Sequence, residues 1–104
     1  MEGRKIGNGA LAASRVVSAV PGKLLGLYGV NTNGSQQYIQ LHEAGALPAD
    51  GVVPLLSIPV PGGQFFSFDF PQGMPVDALT VCNSSAMATK NMGGADCSFV
   101  AIFA

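Results

Sequence analysis

Short runs of alternating apolar and polar residues recur along this chain, each closed by a cluster of Gly, Pro, Asn or Asp. A period of two places successive side chains on opposite faces of an extended backbone, so the runs predict strands. Seven are predicted, at residues 14–20, 23–31, 36–42, 52–60, 64–70, 78–84 and 97–103. In QFFSFDF, Phe66, Phe68 and Phe70 share one face and Phe65, Ser67 and Asp69 the other, so those three phenylalanines are expected in the core. Ile39 and Leu41 oppose Tyr38, Gln40 and His42 in the same way. CSFVAIF is apolar on both faces, which predicts a central strand covered on both sides or one whose outer face meets another subunit. Pro54 and Pro59 in VVPLLSIPV cannot donate to a ladder, so that run is expected at an edge or a bulge.

The punctuation predicts the connections. Pro21-Gly22, Asn31-Thr32-Asn33-Gly34 and Pro61-Gly62-Gly63 carry turn chemistry and are expected to reverse the chain tightly. The longer segments AGALPADG (44–51) and SSAMATKNMGGA (84–95) are expected to cross between sheets or project outward. Residues 1–13 mix charge, glycine and small side chains without sustained alternation and are expected to be a flexible N-terminal arm. The predicted organisation is that arm followed by one all-β domain over 14–104. Its expected architecture is an antiparallel β-sandwich, a jelly-roll or related Greek key of about seven to eight strands.

Composition adds a constraint on the surface. Hydrophobic residues make up 48% of the 104 and charged residues 11%, and three of the charges, Glu2, Arg4 and Lys5, fall in the first five positions. A domain of this size leaves much of its surface exposed, and so few charges cover it thinly. Surface buried against other chains is the expectation. A net charge of −1 gives no electrostatic basis for holding a phosphate backbone, so no nucleic acid is expected as partner. No apolar run approaches the ~20 residues of a membrane span, and the opening residues lack a secretory pattern. No membrane association is expected, and synthesis in the cytoplasm is.

Candidate chemistry is sparse. His42 is the single histidine, and no nucleophile and orienting acid can be assigned to it from spacing, so it reads as a polar strand-end residue and the chain as a non-enzyme. Cys82 and Cys97 show no metal-ligand spacing; they either close the long loop as a disulfide or, the preferred reading, stay as two buried thiols. No cofactor or metal is expected. GNGALA at 7–12 matches a dinucleotide fingerprint only formally, since no strand-to-helix unit surrounds it. Tyr28, Tyr38 and Phe65 are candidates for an aromatic sugar platform, but the chain has no tryptophan, and packing accounts for them more simply.

The order SRVVSA, GKLLGLYGVN, QYIQLHEAGALPADGVVP, FDF followed by Gly-Met-Pro-Val, VCNSS and ADCSFVA resembles small accessory virion proteins of tailed bacteriophages, over residues 14–103. The resemblance implies a structural protein on the outer capsid surface of the virion that cements the shell by bridging major capsid protein subunits, commonly as a homotrimer. Under that reading Arg4, Lys5 and Ile6 of the arm contact the capsid, and Tyr38, Phe65, Val100 and Ile102 are candidates for the interface between copies. A tail, neck or fibre-base position is the alternative, and a carbohydrate-binding module the third reading.

Overall fold

The computed structural model describes residues 3–104, and its secondary structure is all strand, with no helix among the described residues. Eight strands form: β1 (Arg4–Ala12), β2 (Ser14–Ser18), β3 (Gly22–Val30), β4 (Gln37–His42), β5 (Leu56–Val60), β6 (Phe65–Val76), β7 (Leu79–Ser84) and β8 (Cys97–Phe103). Two antiparallel four-stranded sheets result, sheet A in the order β1-β8-β3-β6 and sheet B in the order β2-β7-β4-β5. The pairing is nested: β1 with β8, β2 with β7, β3 with β6 and β4 with β5. One long hairpin, rolled so that β8 also meets β3 and β7 also meets β4, has this connectivity. It is a jelly roll.

The nested order corrects the predicted turns. β2 and β3, β3 and β4, and β5 and β6 lie in different sheets, so Pro21-Gly22, the Asn31–Gly34 segment and Pro61-Gly62-Gly63 are corners between sheets. Pro61–Gln64 is still a tight turn as expected, with Gln64 N donating to Pro61 O and Gly63 at positive φ, but it joins strands of different sheets; no non-glycine residue among those described has positive φ. Asn31 holds two of these corners together. Its Nδ2 donates to the carbonyls of Val60, Pro61 and Ser35, and its Oδ1 accepts from Asn33 N.

The expected arm is also corrected. Residues 1 and 2 lie outside the described residues, but Arg4–Ala12 is an edge strand in register with β8, from Arg4 opposite Phe103 to Asn8 opposite Phe99. Its pattern is illegible in the sequence because an edge strand interrupted by Gly7 and Gly9 alternates weakly, and because a register shift between Asn8 and Ala12 breaks the period. That shift bends the chain from sheet A into sheet B at Ala13.

The core lies between the sheets. Leu24, Leu27, Phe66, Phe99, Ala101 and Phe103 of sheet A meet Val17, Ile39, Leu41, Val60, Leu79 and Val81 of sheet B. Phe66 is buried as expected, while Phe68 and Phe70 pack against the core only partly. The proline-bearing β5 is an edge strand, as predicted, and β8 is central. Cys82 and Cys97 lie in opposite sheets, each buried and free.

Candidate functional site

The two sheets treat their outer faces differently. Every residue of β7 is buried, and β4 is buried except at Tyr38, because the β4–β5 loop (43–55) and the β7–β8 loop (85–96) fold back over sheet B. Strand register sets Tyr38 beside Ser84, Gln40 beside Cys82 and His42 beside Thr80 on that outer face. These polar groups then satisfy the loops. Gln40 Nε2 donates to the carbonyls of Ala86 (2.8 Å), Thr89 (3.2 Å) and Met87 (3.3 Å). Thr80 Oγ1 donates to Ala44 O, and Ser84 Oγ donates to Ala86 O. With its amide nitrogen committed to carbonyls, Gln40 presents Oε1 to His42 Nε2 at 3.0 Å. The imidazole is therefore the Nε2–H tautomer, donating to Gln40.

The loops are also tied to each other. Lys90 N donates to Val52 O, Gly51 N donates to Lys90 O, and Lys90 Nζ lies 2.5 Å from Asp50 Oδ1. The electrostatics are those of a closed layer. Burial, with the Lys90 ammonium second, holds His42 below the ordinary histidine range. Hydrogen bonds from Lys90 and then Met92 N lower Asp50. Burial pushes Cys82 up to about 11, and burial with Asp96 pushes Cys97 up to about 11. At neutral pH both thiols are therefore protonated, and His42 is a neutral ring with Nε2–H held on Gln40. No group of three or more His, Cys, Asp or Glu side chains converges on a metal position among the described residues.

Sheet A carries no comparable cover among the described residues. Leu25, Tyr28, Val30, Val100 and Ile102 are partly exposed on its strands, and Phe65 is 86% exposed. Two rows cross the sheet: Lys5, Ile102, Gly26 and Asp69 in one, Gly7, Val100, Tyr28 and Ser67 in the next. Tyr28 lies over Gly26, where a Cβ would collide with its ring, and its hydroxyl donates to Asp69 Oδ1 at 2.5 Å. That bond, with partial desolvation, raises the phenol above its ordinary range.

A second exposed apolar surface lies on the β4–β5 loop and the start of β5. Val53 is 73% exposed, and Leu47, Val52, Leu55 and Leu56 are exposed beside it. Val52, Val53, Pro54, Leu55 and Pro48 line a groove of about 320 Å³ that reaches His42 and Glu43. A larger open groove, about 470 Å³, lies between Pro21-Gly22 and Pro75–Asp77 and holds Lys23 and Glu43. Glu43 Oε2 there accepts from Asp77 N, so that carboxylate serves the corner between β6 and β7.

The structure redistributes the residues predicted from sequence. Val100, Ile102 and Phe65 share the outer face of sheet A, but Tyr38 is on the outer face of sheet B and accepts a bond from Gln36. Tyr28, Tyr38 and Phe65 therefore do not form one sugar platform. Arg4, Lys5 and Ile6 are not a free arm: Ile6 packs against the core, while Lys5 sits opposite Ile102 on the outer face. Gln40, Lys90 and the Leu47–Leu56 patch escape a reading of the sequence. Gln40 alternates with apolar neighbours and reads as solvent-facing, and Lys90 stands in a polar loop with no local sign of its distant partner. Comparison of this chain with protein-family models, with curated proteins and with solved structures finds no match.

Proposed function

We propose that this chain is a structural virion protein of a tailed bacteriophage that decorates the capsid and cements it by bridging major capsid protein subunits. The observation that carries the reading is the apolar surface of the β4–β5 loop, displayed but pinned. Leu47, Val52, Val53 and Leu55, with Leu56 at the start of β5, face outward on a segment tied down through Gly51, Val52 and Leu55 backbone bonds and the Lys90–Asp50 pair. A loop already ordered loses little entropy on docking, so its apolar area converts more fully into affinity. The jelly-roll order and the low charge of the surface support the same reading by analogy. Catalysis has no comparable support, since the polar side chains around His42 are spent on the protein's own loops.

Contacts available only in the assembled lattice stabilise that lattice by linkage. Quantitative mass spectrometry of purified particles tests the proposal. Copies in proportion to the shell subunits support it, a few copies per particle move the protein to the tail or neck, and absence from particles overturns it. Shells reconstituted with Val53→Asp are expected to lose the protein while the variant folds normally.

A further inference from the structure

We propose that the outer face of sheet A docks a second copy of this chain, face to face, about a two-fold axis parallel to the strands. The face is self-complementary under that operation. In the row Lys5, Ile102, Gly26, Asp69 the cation stands on one edge strand and the anion on the other, with apolar surface between. Four strands set these ends roughly 14 Å apart. A two-fold axis between facing sheets, parallel to the strands, lays β1 of one copy over β6 of the other. Each Lys5 then meets the second copy's Asp69, and Ile102, Val100 and Tyr28 meet in the middle. An axis along the rows would instead stack Lys5 on Lys5.

Shape agrees with charge. Phe65, beside Val30 at one end of the β6 edge, is 86% exposed, and the two-fold carries it over the β1 segment around Gly9, where a Cβ would meet nothing within 4 Å. Edge-to-edge closure into a ring also brings Lys5 toward Asp69, but it leaves Val100 and Ile102 in water and asks β6, with Pro71 and Pro75, to supply a ladder. Face-to-face pairing makes a dimer, a different assembly from the trimer that the resemblance implies. The face offers roughly 500–600 Å² per copy, below the ~800 Å² of a standard interface, so association is weak and concentration-dependent.

The inference goes beyond the capsid reading, and its test uses purified protein without shells, so either fails alone. Sedimentation of the full chain from about 10 μM to about 1 mM is expected to shift from 10.6 kDa toward twice that mass. Lys5→Glu and Asp69→Lys are each expected to weaken pairing about tenfold, by turning two attractive contacts into two repulsive ones. An equimolar mixture of the two variants pairs more tightly than either variant alone, since one of its two cross-contacts joins Lys5 to Asp69 and the other Glu to Lys, and the double variant K5E/D69K recovers as well. Phe65→Ser weakens pairing without altering charge, and thermal melts establish that each variant is folded. A monomer throughout the range, a three-fold mass, or single variants that pair like the parent overturns the proposal.

Discussion

Lys90 Nζ, on a side chain only 3% exposed, lies 2.5 Å from Asp50 Oδ1, on a side chain 59% exposed, and the pair joins the two loops that cover sheet B. The cation is buried at its stem and solvated through its partner, so the pair positions loops more than it supplies electrostatic energy. Lys90→Ala is expected to cost about 2 kcal/mol through the lost packing of that stem, with Lys90→Met restoring most of it. Denaturant unfolding measures both, and limited proteolysis should cut first within 43–55 and 85–96. Equal losses in the two variants would show that the charge, and not the packing of the stem, holds the loops.

Acid should loosen the same layer in two steps. The folded-state pKa of His42 is lowered from 6.5, so the unfolded chain binds the proton more readily. The stability this group contributes is complete above about pH 6.5, declines as pH falls below that value, and stops changing below the folded pKa. Asp50 is also lowered, from 3.8, and its contribution is lost only as pH falls through that lower range. His42→Gln should remove the first step and leave the second, as read by denaturation at a series of pH values. An unchanged profile in that variant would remove His42 as its cause.

Gln40 saturates three loop carbonyls from a fully buried position. Replacing it with Leu removes this donor from the carbonyls of Met87 and Thr89 and leaves Ala86 O with Ser84 Oγ alone, and a loss of roughly 2–4 kcal/mol is expected. Amide exchange should accelerate at Lys90 and Gly51, whose backbone bonds depend on the loops staying closed. A loss under about 0.5 kcal/mol would mean that water replaces Gln40 freely.

Asn31 is fully buried where two corners meet. Asn31→Ala should cost roughly 2–4 kcal/mol, and Asn31→Asp no less, because a carboxylate cannot donate to the carbonyls of Val60 and Pro61. Melting temperatures of the two variants, set beside the parent, decide it.

The cysteines should be silent in the native state. With both thiols near 11, their thiolate fraction at pH 8 lies roughly two orders of magnitude below that of a free cysteine. Labelling by a thiol reagent is expected to proceed at the rate of unfolding and to reach two equivalents in denaturant. Fast labelling of one site at neutral pH would contradict the burial of that side chain.

What the amino-acid order determined by itself was local: the strand segments at 23–31, 36–42 and 97–103, the inward Phe66, Ile39 and Leu41, the edge placement of the proline-bearing strand, and the all-β class. These follow from a period of two and from the missing N–H of proline, both of which act between neighbours in sequence. Tertiary structure alone decided the rest. Pairing β1 with β8 turned an apparent arm into an edge strand, and nesting turned three apparent hairpins into corners between sheets. Whether Tyr38 faces the same side as Val100, or Gln40 faces water or carbonyls, depends on which sheet a strand joins and which loop returns over it. Such contacts link residues dozens of positions apart, as Gln40 to Thr89 and Lys90 to Asp50 do, and no local pattern encodes them.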